Sequence, residues 1–240
     1  MKIFKYLLII SLITLVQTIK SQESYAPEDV VDEKFGIIKY EPLNIMLGKD
    51  SIRNDARGYA ANGYIEDYYK SGQLLHKGFY VDGQLKVYKN YFPNGKVERN
   101  FRLTDIKKSK MTIYYADGKI KSEIEYIENQ AVKWQYFYPN GNPEFIEEYD
   151  KNIQYYVFKA NYFENGTPEN TLTLTDKKKL ILKQIYYHAN GQLKEEGEMK
   201  YNKSIFDYER IGTWTLFDET GKPTKKVKYA SGKVVSENDL

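Results

Sequence analysis

The chain has 240 residues, 24 of them tyrosine and none cysteine, with a formal net charge of +3. The lack of cysteine excludes disulfides, thiolate metal sites and a lipid-modified N-terminal cysteine, so packing and backbone pairing alone must hold the fold together. Lys2, Lys5 and Lys20 fall within residues 1–21, which carry no acid, and the remainder sets 33 bases against 33 acids, giving no electrostatic footprint for nucleic acid.

The chain opens with Lys2 and Lys5, followed by the apolar run Tyr6 to Val16. That run is too short to span a bilayer, and polar residues from Gln17 onward end it. The pattern predicts a signal peptide over residues 1–21, cleaved near Ser21-Gln22, and hence an exported protein, whether periplasmic, at the outer surface or secreted. No membrane contact is expected beyond this leader. Residues 22–57 read as an N-terminal linker and capping segment. Glu23 to Lys34 is acidic and polar and contains Pro27. Phe35 to Tyr40 reads as a first strand, and Ile45-Met46-Leu47-Gly48 as an apolar patch that caps the open end of the strands downstream.

Residues 58–235 repeat, and a short tail, 236–240, ends the chain. The turn glycines are Gly72, Gly95, Gly118, Gly141, Gly166, Gly191 and Gly221, at spacings of 23, 23, 23, 25, 25 and 30. A fixed period in this range marks a repeat array. Asn-Gly pairs begin at Asn62, Asn94, Asn140, Asn165 and Asn190, and Asp-Gly pairs at Asp82 and Asp117. Such pairs suit type I′ hairpin turns, in which both central residues take positive φ. A second turn follows at Gly83, Asn129, Asn152, Asn202 and Gly232, with Thr104-Asp105 and Thr175-Asp176 in two further copies. Each unit is therefore strand, turn, strand, turn, with strands of five to seven residues and no helical period.

Four residues before each turn glycine stands an aromatic: Tyr68, Tyr91, Tyr114, Phe137, Tyr162, Tyr187 or Phe217. The next position holds Tyr69, Phe92, Tyr115, Tyr138, Phe163, His188 and Asp218. After the turn, Ile120, Ser122, Ile124 and Tyr126 alternate with Lys121, Glu123 and Glu125. This predicts an all-β fold, an elongated antiparallel sheet of tandem hairpins stabilised by a shared aromatic face. Its ends would be capped by residues 35–60 and by the degenerate last unit around Trp214 to Val235.

The run Tyr114-Tyr115-Ala116-Asp117-Gly118-Lys119-Ile120-Lys121 and the stretch Tyr186 to Lys194 resemble the bacterial variant of the MORN repeat. Weaker copies surround Gly72, Gly95, Gly141, Gly166 and Gly221. The resemblance does not extend to the Gly-x-Gly strand start of the eukaryotic repeat, which only Lys77-Gly78-Phe79 and Glu196-Gly197-Glu198 approach. It implies an array of hairpins without an active site, in a group often described as presumed antitoxins of toxin–antitoxin pairs.

Nothing in the sequence assembles catalytic machinery. His188 replaces an aromatic and reads as a packing residue. His76 occupies a variable column and reads as a partly exposed strand site, not a general base. The acids Glu123, Glu125, Glu147, Glu148, Glu195, Glu196 and Glu198 alternate as solvated strand faces do, although paired acids are the equipment of glycoside hydrolysis. The basic runs Lys107 to Lys110 and Lys177 to Lys179 read as solvated hairpin tips, the alternative being contact with anionic lipid or glycan along one edge of the array. No Asp-Gly turn has the alternating acids of a calcium loop. The triplet Asp50-Ser51-Ile52 resembles a bacterial O-glycosylation site only as closely as three residues can.

The expected function is therefore a non-enzymatic, cofactor-free and metal-free interaction scaffold with a protein partner. The alternative is an envelope glycan or cell-wall binding module with aromatic grooves between hairpins.

Overall fold

A computed structural model describes residues 39–240. The predicted leader, the linker to Lys34 and most of the predicted first strand lie outside the described residues; Lys39 and Tyr40 form a turn. Two 3-10 turns follow, Glu41–Leu43 and Ile45–Leu47. The strands are β1 (Gly63–Tyr68), β2 (Leu74–Val81), β3 (Gln84–Tyr91), β4 (Val97–Asp105), β5 (Lys108–Tyr114), β6 (Ile120–Ile127), β7 (Gln130–Phe137) and β8 (Pro143–Tyr149). They continue with β9 (Tyr156–Tyr162), β10 (Pro168–Asp176), β11 (Ile181–Tyr187), β12 (Leu193–Asn202), β13 (Asp207–Phe217), β14 (Pro223–Ala230) and β15 (Lys233–Asp239). All fifteen form one antiparallel sheet in sequence order, so each pairs only with its chain neighbours. Six strands have the six or seven residues that fit the expected five to seven, and the other nine run longer, up to eleven in β13.

The turn chemistry differs from the type I′ expectation. At each of the seven turn glycines the amide donates to the carbonyl three residues earlier, as Gly72 does to Tyr69 at 2.8 Å. These glycines have φ between 76° and 96°, whereas no positive φ occurs at the preceding Asn94, Asn140, Asn165 or Asn190. The loop is a type I turn closed by a left-handed glycine, the three-residue hairpin that ends in a bulge. Type I′ geometry occurs instead at second turns: Asp82-Gly83, Glu128-Asn129 and Ser231-Gly232, where both residues have positive φ. Asn62-Gly63 makes no hairpin at all; it leads into β1, and Asn62 Oδ1 accepts the Asp82 amide at 3.0 Å.

The asparagines of the glycine turns do other work. Asn94, Asn140, Asn165 and Asn190 each accept, through Oδ1, the amide two residues on at 2.9 Å. Three of them also reach the next unit, donating from Nδ2 to the carbonyls of Ala116, Glu164 and Glu219. Two positions earlier in the turn, Tyr69, Tyr115 and Tyr138 donate their hydroxyls to the carbonyls of Tyr91, Phe137 and Tyr162 at 2.7–3.0 Å. Successive hairpins are thus bolted together along one edge by side chain to backbone bonds that supplement the ladders.

Among the described residues, no further strand pairs with the outer edge of β1, and the described part of the N-terminal segment is placed elsewhere. It lies over a face of the sheet, where Tyr40 packs with Leu75, Tyr80, Leu85, Tyr88, Phe101, Met111 and Ile124, and Leu43, Met46 and Leu47 flank them. Towards the other end of the sheet, Leu172, Leu180, Leu182 and Tyr201 form a second core with Tyr155, Tyr156 and Tyr208. There the sheet curls: the Tyr156 amide in β9 donates to the Tyr208 hydroxyl in β13 at 2.7 Å. Four strand spacings in a flat sheet would hold those backbones about 19 Å apart.

Candidate binding face

Because register partners share a face, the pairings trace one row of side chains across the sheet. From β1 to β12 it runs Ile65, Gly78, Tyr88, Phe101, Met111, Ile124, Trp134, Glu147, Lys159, Leu172, Gln184 and Gly197. Beyond a bulge it resumes as Trp214, Val227 and Glu237. Towards the N-terminus the row is covered, with Tyr88 at 3%, Phe101 at 1% and Met111 at 2% exposure. Towards the C-terminus Leu172, Gln184, Trp214 and Val227 are buried again. Between the two cores the row surfaces at Trp134, 37% exposed, and at the half-buried Glu147 and Lys159.

Around these three lie further rings of the same face. Tyr136 stacks on Phe145 with centroids 4.9 Å apart, and Trp134 is 6.1 Å from Tyr136. Tyr149 and Tyr156 meet at 4.6 Å. Glu147 gathers the polar tips: Lys159 Nζ is 3.0 Å away, the Tyr149 hydroxyl 3.0 Å and the Tyr156 hydroxyl 3.3 Å. Burial raises the Tyr149 pKa, and the bonds to Tyr156 and Glu147 raise it further. Burial opposes the charge of Lys159, but Glu147 outweighs it and leaves the ammonium with a raised pKa. The site is a broad aromatic platform beside one internally compensated ion pair. Such a surface stacks rings and makes hydrogen bonds.

Other acids singled out in the sequence are engaged elsewhere. Glu148 points to the opposite face and pairs with Lys133 at 3.5 Å. Glu123 pairs with Lys110, Glu196 with Lys183 and Glu195 with Arg210, all across strands. In the basic runs Lys107 pairs with Glu128 and Lys110 with Glu123, both by ion pairs. Among the described residues no group of three or more metal-ligating side chains comes together.

The aromatic column before each glycine is only half-buried, and Tyr68 is 55% exposed; the fully buried rings are Tyr80, Phe101 and Trp214, at strand interiors. His188 sits in the hydroxyl column and sets Nε2 3.1 Å from the Phe217 carbonyl, the bond a tyrosine makes in other units. His76 is not a partly exposed strand site. It is fully buried, sandwiched against Tyr40, with Nδ1 2.7 Å from Asn90 Oδ1 and Nε2 3.0 Å from the Tyr80 hydroxyl. The Asn90 oxygen can only accept, so Nδ1 carries the proton and the neutral ring accepts from Tyr80. Burial drives the His76 pKa down to about 4. Behind it Arg53 clasps Asp67 at 2.6 and 2.7 Å, and Tyr40 donates to the same carboxylate at 2.9 Å. This network fastens the N-terminal segment to the sheet.

Reading the sequence missed the Trp134 platform, although Trp134 and Glu147 are each visible as a rare residue and one of a pair of acids. The available signal was the register: counting back from each turn glycine through its bulge aligns Trp134, Glu147 and Lys159. Likewise Gly78 and Gly197 mark places where a Cβ would strike the rings of His76 and Tyr80 or of Trp214.

A family model described as MORN repeat variant matches residues 109–128, 132–151 and 182–201. These stretches correspond to the hairpins β5–β6, β7–β8 and β11–β12, so the second contains Trp134 and Glu147. No curated protein sequence matches the chain. Among solved structures, Staphylococcus aureus TarM in complex with Fondaparinux, alpha-GlcNAc-glycerol and UDP is 15% identical, over 47% of this chain and 20% of its own, with a TM-score of 0.25. The Photorhabdus luminescens Tc holotoxin pore is 11% identical, over 78% of this chain and 12% of its own, also with a TM-score of 0.25. The chain spans a fifth or less of the length of these proteins, and at such TM-scores the likeness carries no argument.

Proposed function

We propose that this repeat protein is a non-enzymatic, exported interaction scaffold whose partner protein docks on Trp134, Tyr136 and Phe145. One observation carries the reading: among the described residues the row, apart from its two ends at Ile65 and Glu237, surfaces in β7–β9, where it presents rings beside Glu147 and Lys159. Half-buried aromatics next to charges already paired with each other resemble the centre of a protein interface. There, large rings supply area at small entropic cost and charges stay satisfied. Photo-crosslinking from position 136 in the producing cell tests this. A discrete protein adduct that disappears with Trp134→Ala is expected; its absence would sink the reading.

A second reading rests on the same rings. Trp134 and the Tyr136–Phe145 stack offer flat faces to sugar rings, with Glu147 and Asn161 as polar neighbours on the same face. Retention on isolated cell envelopes that is lost on glycan digestion, with no protein adduct, would select envelope glycan as the ligand. The antitoxin role belongs to the resemblance with the MORN-variant group. It requires a toxin within reach of an exported chain, and co-expression with neighbouring genes tests it through rescue of growth.

A further inference from the structure

On the face opposite Trp134, at the tips of β10–β11 and β12–β13, lies a groove of about 760 Å³. Its lining includes Lys178, Lys179, Lys200 and Lys203, the apolar Ile181 and Ile211, and a single acid, Glu209, while the neighbouring Leu180 and Tyr201 turn their side chains into the second core on the other face. That volume falls in the range of small-molecule sites, roughly 300–1,000 Å³. Register sets Lys200 between Ile181 and Glu209 on this face. Several strand lysines elsewhere on the sheet are matched, Lys77 to Glu66, Lys110 to Glu123, Lys133 to Glu148 and Lys183 to Glu196, while others such as Lys89, Lys121 and Lys194 stand singly and not in a cluster. Among the described residues, none of the four groove lysines is in an ion pair. The nearby acids are already engaged. Glu209 accepts from Asn202 at 3.1 Å, and Asp176 accepts the amides of Lys178 and Lys179, both at 2.9 Å, which holds the lysine-bearing loop in place.

We propose that this groove binds an amphiphilic anion, a phosphate monoester head on an alkyl body. The head sits among the ammonium groups, and the chain lies along Ile181 and Ile211. Lysines suit such a head because each acts as a mobile point charge that follows the phosphate without demanding bidentate geometry. The apolar wall supplies what a free phosphate would not use: burial of methylene groups, each favourable to transfer out of water. The proposal is independent of the Trp134 face, since the two sites lie on opposite sides of the sheet.

Titration calorimetry with decyl phosphate, kept below its micellar concentration, tests the site on the full chain. Inorganic phosphate and the neutral decyl glucoside serve as companion probes. Decyl phosphate is expected to bind, and to bind about tenfold more weakly to the double variant Lys179→Gln, Lys200→Gln, whose melting temperature reports that it remains folded. Both companions are expected to bind far more weakly than decyl phosphate. The proposal is overturned if decyl phosphate fails to bind or if the double variant binds it equally well. It is also overturned if either companion matches decyl phosphate, because then one half of the groove is not used.

Discussion

The imidazole of His76 lies flat against the ring of Tyr40, with centroids 3.6 Å apart and planes within 10° of parallel. This single stack joins a residue of the N-terminal segment to β2, and its two partners are each tied to the network behind it. Tyr40 donates to Asp67, and His76 bonds to Asn90 and Tyr80. The arrangement works only while the imidazole is neutral, since protonation would turn Nε2 from an acceptor into a donor and bring a charge close to Arg53.

The stability of the fold should therefore depend on pH through His76. Its folded pKa of about 4 lies below the ordinary value of 6.5. Between those values the unfolded chain binds the proton and the folded chain does not, so stability rises with pH across the window. On lowering the pH from 6.5 to 4, about 3 kcal/mol should be lost. Urea unfolding at several pH values measures the slope. His76→Gln should flatten it even though the variant is less stable at every pH. A slope that survives the substitution would assign the effect elsewhere.

His188→Phe removes the bond to the Phe217 carbonyl and should cost about 1 kcal/mol. His188→Tyr restores the donor found in three other units and should cost little or nothing. Thermal melts of the two variants distinguish a hydrogen-bonding role from simple filling of space, which either ring would satisfy.

The two tryptophans should respond differently to truncation. Trp214 is fully buried, its indole N–H donates to the Glu198 carbonyl at 3.2 Å, and Arg210 lies 3.9 Å over its ring. Trp214→Ala should cost about 3–5 kcal/mol. Trp134→Ala, at a surface left open, should cost clearly less in denaturant unfolding while removing partner binding. Equal losses of stability would mean that Trp134 is a core residue and not part of a binding face.

Glycines of two kinds are separable by alanine. At Gly197 a Cβ would fall inside the envelope of the Trp214 ring, whereas at Gly95 it would meet nothing within 4 Å. Gly197→Ala should displace the indole and cost about 1–3 kcal/mol or more. Gly95→Ala bears only the penalty of a left-handed φ, about 1–2 kcal/mol. Near-ultraviolet circular dichroism should report loss of the tryptophan environment in the first variant and not in the second.

The repeat was legible in the sequence because turn chemistry is local: the seven glycines and the asparagines before them are constrained by neighbours a few residues away. The turn type was not, since Asn-Gly serves both a two-residue loop and a three-residue loop. The bulge that follows Gly95 or Gly118 shows only when strand pairing is known. The burial of His76 was hidden for a different reason. It depends on Tyr40, 36 residues away, folding back over β2, and no pattern within a strand announces that. The Trp134–Glu147–Lys159 row was hidden by the bulges, which shift the register once per hairpin and break the simple alternation of sides.

Because every ladder joins strands adjacent in sequence, even the widest pair in these registers, Glu195 with Leu216, is separated by only 21 residues. Assembly can then start at any hairpin and spread outward like a zipper, with little loop-closure entropy to overcome at each step. Pulled from its C-terminus, the same sheet would release β15, then β14, one hairpin at a time. At the other end the order is broken. The segment around Tyr40 straddles several strands, so those must come apart together, and the array has one end that frays and one that holds.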